Sequence, residues 1–239
     1  MKIAVLNFSG NVGKSTIARH LLLPRIPGAE LIAIESINAA DEHQGQTLRG
    51  RQFAELQEYL QTVDGAIVDI GASNVEELLT LMRRYRGSQE DFDAFVVPTV
   101  PALKQQRDTM ATLIEMSRMG VPAWRLKIVF NMVEDGSDVA STFEHLLEFL
   151  QTRPIATACI CARVGINEIY GRVKGLGDAA DLIRMANDTT DYKSLIVNTV
   201  KLDEKLALAE ALANRRLACG VVPELDACFA ALNLSSVPT

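Results

Sequence analysis

Short runs of apolar and β-branched residues recur along the first two thirds of the chain. Within each run the apolar residues are continuous instead of alternating with polar ones, which indicates strands that are buried on both faces. The six predicted strands cover residues 2–8, 31–35, 65–70, 94–98, 126–130 and 155–161.

Segments with apolar residues at helical spacing lie between these runs. They predict helices over residues 14–23, 51–62, 75–85, 103–119 and 141–151, the first of which ends before Pro24. Because strands and helices alternate, the sequence predicts an α/β fold: a doubly wound, mainly parallel sheet with helices on both faces.

The pattern changes after about residue 163, beyond which no strand is predicted. A helix is expected over 192–216 with a stop at Gly220, followed by a last short helix over 224–232. The apolar stripe of the predicted helix over 192–216 comprises Leu195, Ile196, Thr199, Leu202, Leu206, Ala209 and Leu212. This stripe could pack on the domain or on a second subunit, and core packing is the default expectation. We predict a single domain over 1–239, with a core over about 1–180 and a helical C-terminal portion over 181–239.

Composition and charge narrow the classes of partner. The chain has 239 residues, of which 48% are hydrophobic and 23% charged, and its net charge is −6. This balance suits a folded domain and provides no overall attraction to DNA or anionic lipid. No apolar run approaches the ~20 residues that span a membrane, and residues 228–239 lack Lys and Arg, which argues against a basic membrane-binding tail. Without a recognisable signal peptide, a cytoplasmic location is expected.

The cysteines offer a weak signal for metal. Cys159 and Cys161 would share one face of the predicted sixth strand, while Cys219 and Cys228 lie far along the chain. Zinc is an alternative, but no second pair of ligands has suitable spacing. Buried thiols are therefore the expected state.

A glycine-containing segment between the first predicted strand and the first predicted helix carries the clearest chemistry. It comprises Gly10, Asn11, Val12, Gly13, Lys14, Ser15 and Thr16. Small residues before a helix N-terminus allow backbone N–H groups to converge on phosphate. We expect Lys14 to reach the β- and γ-phosphates, Ser15 to bind Mg²⁺ and Thr16 to lie near the α-phosphate. Phe8 stands where the usual motif has its first glycine, so this is a deviant phosphate loop.

Asp69 ends the third apolar run and is followed by Gly71. In phosphate-loop folds, an acid at the tip of a neighbouring strand meets the Mg²⁺ shell, and glycine would let the backbone approach the γ-phosphate. The alternative is that Asp69 caps the next helix, but Ser73 or Asn74 could take that role. We therefore favour the Mg²⁺ role.

With these residues in hand, the sequence resembles the ParA/MinD family of deviant-Walker ATPases, and within it the StbB-type plasmid stability proteins. The resemblance covers about residues 1–180. It rests on the phosphate loop and on the segments 66–71, 95–98, 128–131 and 161–177.

The resemblance implies ATP with Mg²⁺ as cofactors, slow hydrolysis, and a switch that serves plasmid stability, segregation or conjugative positioning. It implies ATP-dependent homodimers and, as partner, an adaptor protein that binds DNA. It also places Asn131 where the family has an asparagine that contacts adenine; a turn residue at the strand end is the alternative.

Two positions depart from the family pattern. The signature lysine of the family belongs at Ser9, which puts the usual sandwich dimer in question. Ile37 stands where the family has the acid that positions the attacking water. Glu35 or Asp41 could replace that acid as catalytic residues beside Lys14 and Asp69, or could be solvated loop acids.

Other functions and contacts stay open at this point. A non-catalytic nucleotide-binding scaffold, or a small-molecule ligase or kinase, would suit the same fold. Direct DNA contact through small basic groups is also open. These groups comprise Arg83, Arg84 and Arg86, and a looser set of Arg163, Arg172 and Lys174.

Overall fold

A computed structural model describes residues 1–34, 50–174, 176 and 181–234 of the chain. Six parallel strands form one sheet in the order β2-β3-β1-β4-β5-β6. The strands are β1 (Lys2–Val5), β2 (Glu30–Ile34), β3 (Ala66–Ile70), β4 (Ala94–Thr99), β5 (Leu126–Val133) and β6 (Arg163–Gly165). The predicted α/β fold with a parallel sheet is confirmed.

The helices fall between the strands as expected. The first, α1, begins at Lys14–Thr16, continues as a π-helix over Ile17–Leu22 and ends in a 3-10 turn at Leu23–Arg25. The others are α2 (Gly50–Leu60), α3 (Ala72–Arg84), α4 (Leu103–Arg118), α5 (Val139–Thr142), α6 (Glu144–Thr152), α7 (Ile169–Arg172), α8 (Leu182–Ala186), α9 (Tyr192–Asn198) and α10 (Leu202–Leu232).

Two hydrophobic layers cover the sheet, one on each face. In β1, Ile3 and Val5 point into one layer, and Ala4 points into the other together with Leu6 just beyond the strand. The layer around Ala4 holds α2, α3, α4 and α6, and the layer around Ile3 holds α1, α7, α8 and α10. Burial on both faces explains why β1, β3, β4 and β5 lack polar alternation. β2 lies at the edge of the sheet and none of its residues is fully buried, so the predicted burial on both faces is wrong for this strand.

The chain reverses direction across the sheet next to β1. β3 pairs with one edge of β1 and β4 with the other, so the chain moves outward to β2, returns through β3 and then crosses to β4. In open α/β sheets, ligands bind at such a switch point, outside the carboxyl ends of the strands. The segment 6–13 that follows β1 lies there.

The predicted sixth strand over 155–161 is wrong. In this segment only Thr157 forms an isolated bridge, with Lys127, and Ile155 packs against the core without a strand ladder. The strand that pairs with the outer edge of β5 is β6, within a region where no strand was expected. Its three residues form too short a run to signal a strand. Cys161 and Cys219 are exposed, so the expectation of buried thiols is wrong for these two residues.

The C-terminal helices also differ from the prediction. The expected helix over 192–216 is broken after α9, where Thr199 is extended. α10 then continues through Gly220 and Pro223 to Leu232, so the expected stop at Gly220 is wrong. The helix continues because tertiary contacts stabilise the part beyond Gly220. This part buries four side chains in the hydrophobic layer that contains α1: Val221, Leu225, Cys228 and Leu232.

The predicted apolar stripe does not form a core surface over most of its length. Leu195, Leu202 and Leu206 are 45%, 70% and 61% exposed, whereas Leu212 is buried. We call α9 together with residues 202–211 of α10 the α9–α10 projection.

Among the described residues, no helix combines the length and the apolar character that a membrane span requires.

Candidate nucleotide-binding site

The loop between β1 and α1 bends through two left-handed residues. Asn11 has φ 58° and Gly13 has φ 83°, and α1 begins immediately afterwards at Lys14. Asparagine and glycine tolerate this conformation better than other residues. A Cβ atom on Gly13 would lie 2.1 Å from Nδ2 of Asn131, so a larger residue would be strained by its positive φ and would also displace the Asn131 side chain. The geometry is that of an anion-binding turn that leads into a helix N-terminus.

The ammonium group of Lys14 lies inside this loop. Its Nζ donates to the carbonyl oxygens of Ser9 (2.8 Å) and Asn7 (3.4 Å), and the residue is only 8% exposed. Burial lowers the pKa of Lys14, and the carboxylate of Asp69 opposes this effect by raising it. A cation that is partly desolvated at the centre of a backbone loop is suited to binding phosphate oxygens.

Asp69 lies next to the loop, at the carboxyl end of β3. It pairs with Val5 of β1 and Ala33 of β2, and it is buried. Because Asp69 belongs to the strand and Gly71 takes the N-cap position of α3, the helix-capping alternative is wrong. The strand ladder therefore fixes the carboxylate beside the loop between β1 and α1.

The hydroxyl of Ser15 and the carboxylate of Asp69 fit the oxygen ligands that Mg²⁺ prefers. Ser15 is exposed in the first turn of α1, directly after Lys14. Asp69 interacts electrostatically with Lys14, which places its carboxylate near the same loop. The residues present thus suit a magnesium ion that is bound together with phosphate.

The start of α3 is held by β2. The amide N–H of Gly71 donates to the carbonyl of Ile34 (2.8 Å), and Nδ2 of Asn74 donates to the same oxygen (3.2 Å). Asn74 thus lies inside the helix and contacts a strand. The sequence had suggested Asn74 as a possible N-cap residue, but Gly71 occupies that position. The backbone after Asp69 is fixed by these two bonds.

A buried polar network behind the loop was missed by the sequence analysis. Nδ2 of Asn7 donates to the carbonyl of Pro98 (2.9 Å) and to Oγ1 of Thr109 (2.8 Å), while its Oδ1 accepts from the amide of Ser9 (2.8 Å). Oγ1 of Thr112 accepts from the amide of Phe8 (3.1 Å), which lies between Asn7 and Ser9. Threonines three residues apart on α4, together with an asparagine after an apolar strand, were the available signal.

Asn131 approaches the loop from β5. It is buried, and its Nδ2 donates to the carbonyl oxygen of Val12 (2.9 Å). The structure thus gathers the segment 10–16, Asp69 and Asn131 at the carboxyl ends of neighbouring strands. Glu35 and Asp41, the candidate acids for water activation, lie outside the described residues, as does Ile37.

Arg83 forms an ion pair with Glu115 (2.5 Å), and Arg172 lies 3.8 Å from Glu168, the N-cap residue of α7. Arg84 and Arg86 are exposed. These pairings favour surface solvation and helix-end stabilisation for the first group.

Comparisons with known proteins find similarity only among solved structures. No family profile and no curated protein matches the chain. McdA from Cyanothece in complex with ATP is 12% identical, with a TM-score of 0.44 over 92% of this chain and 96% of that chain. MinD from Aquifex aeolicus is 12% identical, with a TM-score of 0.46 over 90% and 96%. A plasmid partition protein from Borrelia burgdorferi bound to AMPPNP is 13% identical, with a TM-score of 0.45 over 90% and 98%. The strand order and the loop geometry described above carry the fold assignment.

Proposed function

We propose that this protein is an ATP-binding switch of the ParA/MinD type that hydrolyses ATP slowly. The observation that carries the proposal is the buried Lys14 ammonium at the centre of a left-handed loop, with Asp69 fixed beside it at the switch point of the sheet. The likeness of the loop sequence to the ParA/MinD family supports the choice of a switch.

The loop residues take defined roles in this proposal. Backbone N–H groups of the segment 10–16 and the N-terminus of α1 bind the phosphates. Lys14 exchanges its carbonyl partners for phosphate oxygens, and Ser15 and Asp69 hold Mg²⁺, which neutralises phosphate charge when bound. The sequence resemblance offers a contact with adenine as an alternative role for Asn131.

The cellular role follows from the sequence resemblance. We propose that the protein acts in the cytoplasm in plasmid stability, segregation or conjugative positioning, pairs with a second copy when ATP is bound, and works through a DNA-binding adaptor protein. The net charge of −6 favours an adaptor over tight direct contact with DNA.

A non-catalytic nucleotide-binding scaffold is the second candidate. Ser9 stands where the family carries its signature lysine, and the carbonyl of this residue is bound by Lys14 of the same chain. Such a protein would bind ATP and partners without measurable turnover.

The test measures ATP affinity and turnover for the wild type, for Lys14→Met and for Lys104→Met. Lys104 is a matched control because its side chain is 83% exposed on α4. We expect Lys14→Met to weaken ATP binding at least about 100-fold, since a charge-assisted contact is lost from a desolvated site, while Lys104→Met binds like the wild type.

Turnover then separates the candidates. A rate that rises when DNA and the adaptor are added supports the switch, whereas binding without turnover under any condition supports the scaffold. Failure of the wild type to bind any nucleotide would overturn the proposed function.

A further inference from the structure

An extra residue in β5 changes which way the strand presents its side chains. The pairing of β5 with β6 shifts register between Asn131 and Val133, and the intervening Met132 has φ 56°. Phe130 and Val133 pack into the same hydrophobic layer, although residues three apart in a regular strand face opposite sides. Met132 therefore forms a bulge, a feature that re-aims neighbouring side chains and is common beside functional sites.

The residue just before this bulge is directed at the phosphate loop. Nδ2 of Asn131 lies 2.9 Å from the carbonyl oxygen of Val12, and Asn131 and Val12 are 3% and 0% exposed. A buried carbonyl without a donor is costly, so this bond stabilises the loop in its observed form. The same Nδ2 atom fills the space that a side chain at Gly13 would need.

We propose that Asn131 is a positioning residue for phosphate binding. By donating to Val12 and packing against Gly13, it holds the left-handed bend that aligns the amide groups ahead of Lys14. This inference rests on the proposed nucleotide-binding function and deepens it. On this inference, Asn131 contributes to the affinity for the phosphates whether or not a base is attached to them. A residue that contacts adenine would contribute only to the affinity for ligands that carry this base.

The experiment measures dissociation constants for ATP, GTP and inorganic triphosphate, which has no base. We expect Asn131→Ala to weaken all three by the same factor of about three to ten, the usual effect of one lost hydrogen bond in a protein interior. Asn131→Asp is a second, nearly isosteric variant. It replaces the donor by a carboxylate oxygen that faces the Val12 carbonyl, so its losses should be larger for all three ligands.

Lys127→Met is the matched control for a general loss of stability. Lys127 belongs to the same strand, is 5% exposed and donates to the backbone carbonyl of Asn233 (3.2 Å), but it lies at the opposite end of β5. This variant should unfold more easily than the wild type and bind all three ligands with unchanged affinity. Unfolding midpoints, recorded for every variant, identify any that do not fold.

The outcomes separate this inference from the proposed function. If Asn131→Ala and Asn131→Asp weaken ATP binding but leave inorganic triphosphate unaffected, Asn131 reads the base and the inference is wrong. It is equally wrong if Lys127→Met weakens triphosphate binding as much as Asn131→Ala does. If the wild type binds none of the three ligands, the proposed function fails first.

Discussion

Individual polar side chains, and not only glycines, determine the form of the phosphate loop. Asn7 accepts from the amide of Ser9, Lys14 donates to the carbonyl of the same residue, and Asn131 donates to the carbonyl of Val12. These side chains come from the end of β1, the start of α1 and the end of β5. The loop is thus braced from three directions, which would lower the entropy lost in the proposed binding of phosphate.

His20 provides a pH-dependent test at the scale of one residue. It is buried in the π-helical part of α1, and burial together with the nearby charge of Arg19 lowers its pKa from 6.5 to about 4, against the opposing charge of Asp181. Between these two pKa values the unfolded chain binds more protons than the folded chain. Stability therefore falls as the pH falls from about 6.5 to about 4.

Urea unfolding of the wild type and of His20→Gln at pH 7 and pH 4.5 measures this effect. We expect the wild type to lose about 2 kcal/mol more than the variant between the two pH values. Carboxylates titrate in both proteins and cancel in the difference. Equal losses in both proteins would show that the folded imidazole titrates near its ordinary pKa.

At the scale of elements, α10 shows how packing overrides a local stop signal. Gly220 and Pro223 both weaken a helix, yet the helix runs through them. The side chains of Val221, Leu225 and Leu232 are buried along this part of the helix, and their burial stabilises it. Each fully buried side chain of this size contributes about 1.5–3 kcal/mol, so the three together exceed the cost of about 1 kcal/mol for one glycine and about 3 kcal/mol for one proline.

Replacing Gly220 by alanine tests whether the helix is continuous at this point. Gly220 is exposed, and an added Cβ atom meets nothing within 4 Å, so Gly220→Ala should stabilise the protein by about 0.5–1 kcal/mol. Gly87 is the control: it has equal space around it but a φ of 91°. Gly87→Ala should destabilise the protein by about 1 kcal/mol. Thermal unfolding of both variants decides the matter, and a destabilised Gly220→Ala would mean that the helix ends there.

At the scale of the whole molecule, α10 divides into a packed part and an exposed part. Its C-terminal part completes the hydrophobic layer that also contains α1, β6 and α8, whereas the α9–α10 projection leaves Val197, Leu202 and Leu206 on the surface. Two leucines of one helix therefore have opposite environments.

Leu225→Ala and Leu206→Ala compare these environments directly. Leu225 is 1% exposed and Leu206 is 61% exposed. We expect Leu225→Ala to lower the free energy of unfolding by about 2–5 kcal/mol and Leu206→Ala to change it by less than about 0.5 kcal/mol. Denaturant unfolding at two protein concentrations measures both. A large, concentration-dependent loss for Leu206→Ala would show that the projection is covered by a second copy in solution.

The sequence by itself determined the features that depend on neighbouring residues. Continuous apolar runs identified five of the six strands. In β1, β3, β4 and β5 the reason is that strands covered on both faces need no polar alternation. The same local logic identified the segment 10–16 and Asp69, since a phosphate loop between a strand and a helix, and an acid at a strand end, are patterns contiguous in sequence.

Only the tertiary structure decided the features that depend on distant contacts. The three residues of β6 become a strand because β5 offers them a ladder, and α10 passes Gly220 because Val221 and Leu225 are buried against the sheet. Asn7 meets Thr109 across 102 positions of sequence, and Asn131 meets Val12 across 119. Hydrogen bonds of this kind leave no periodic trace in the chain, so the residues that brace the candidate site could be found only once the strands lay side by side.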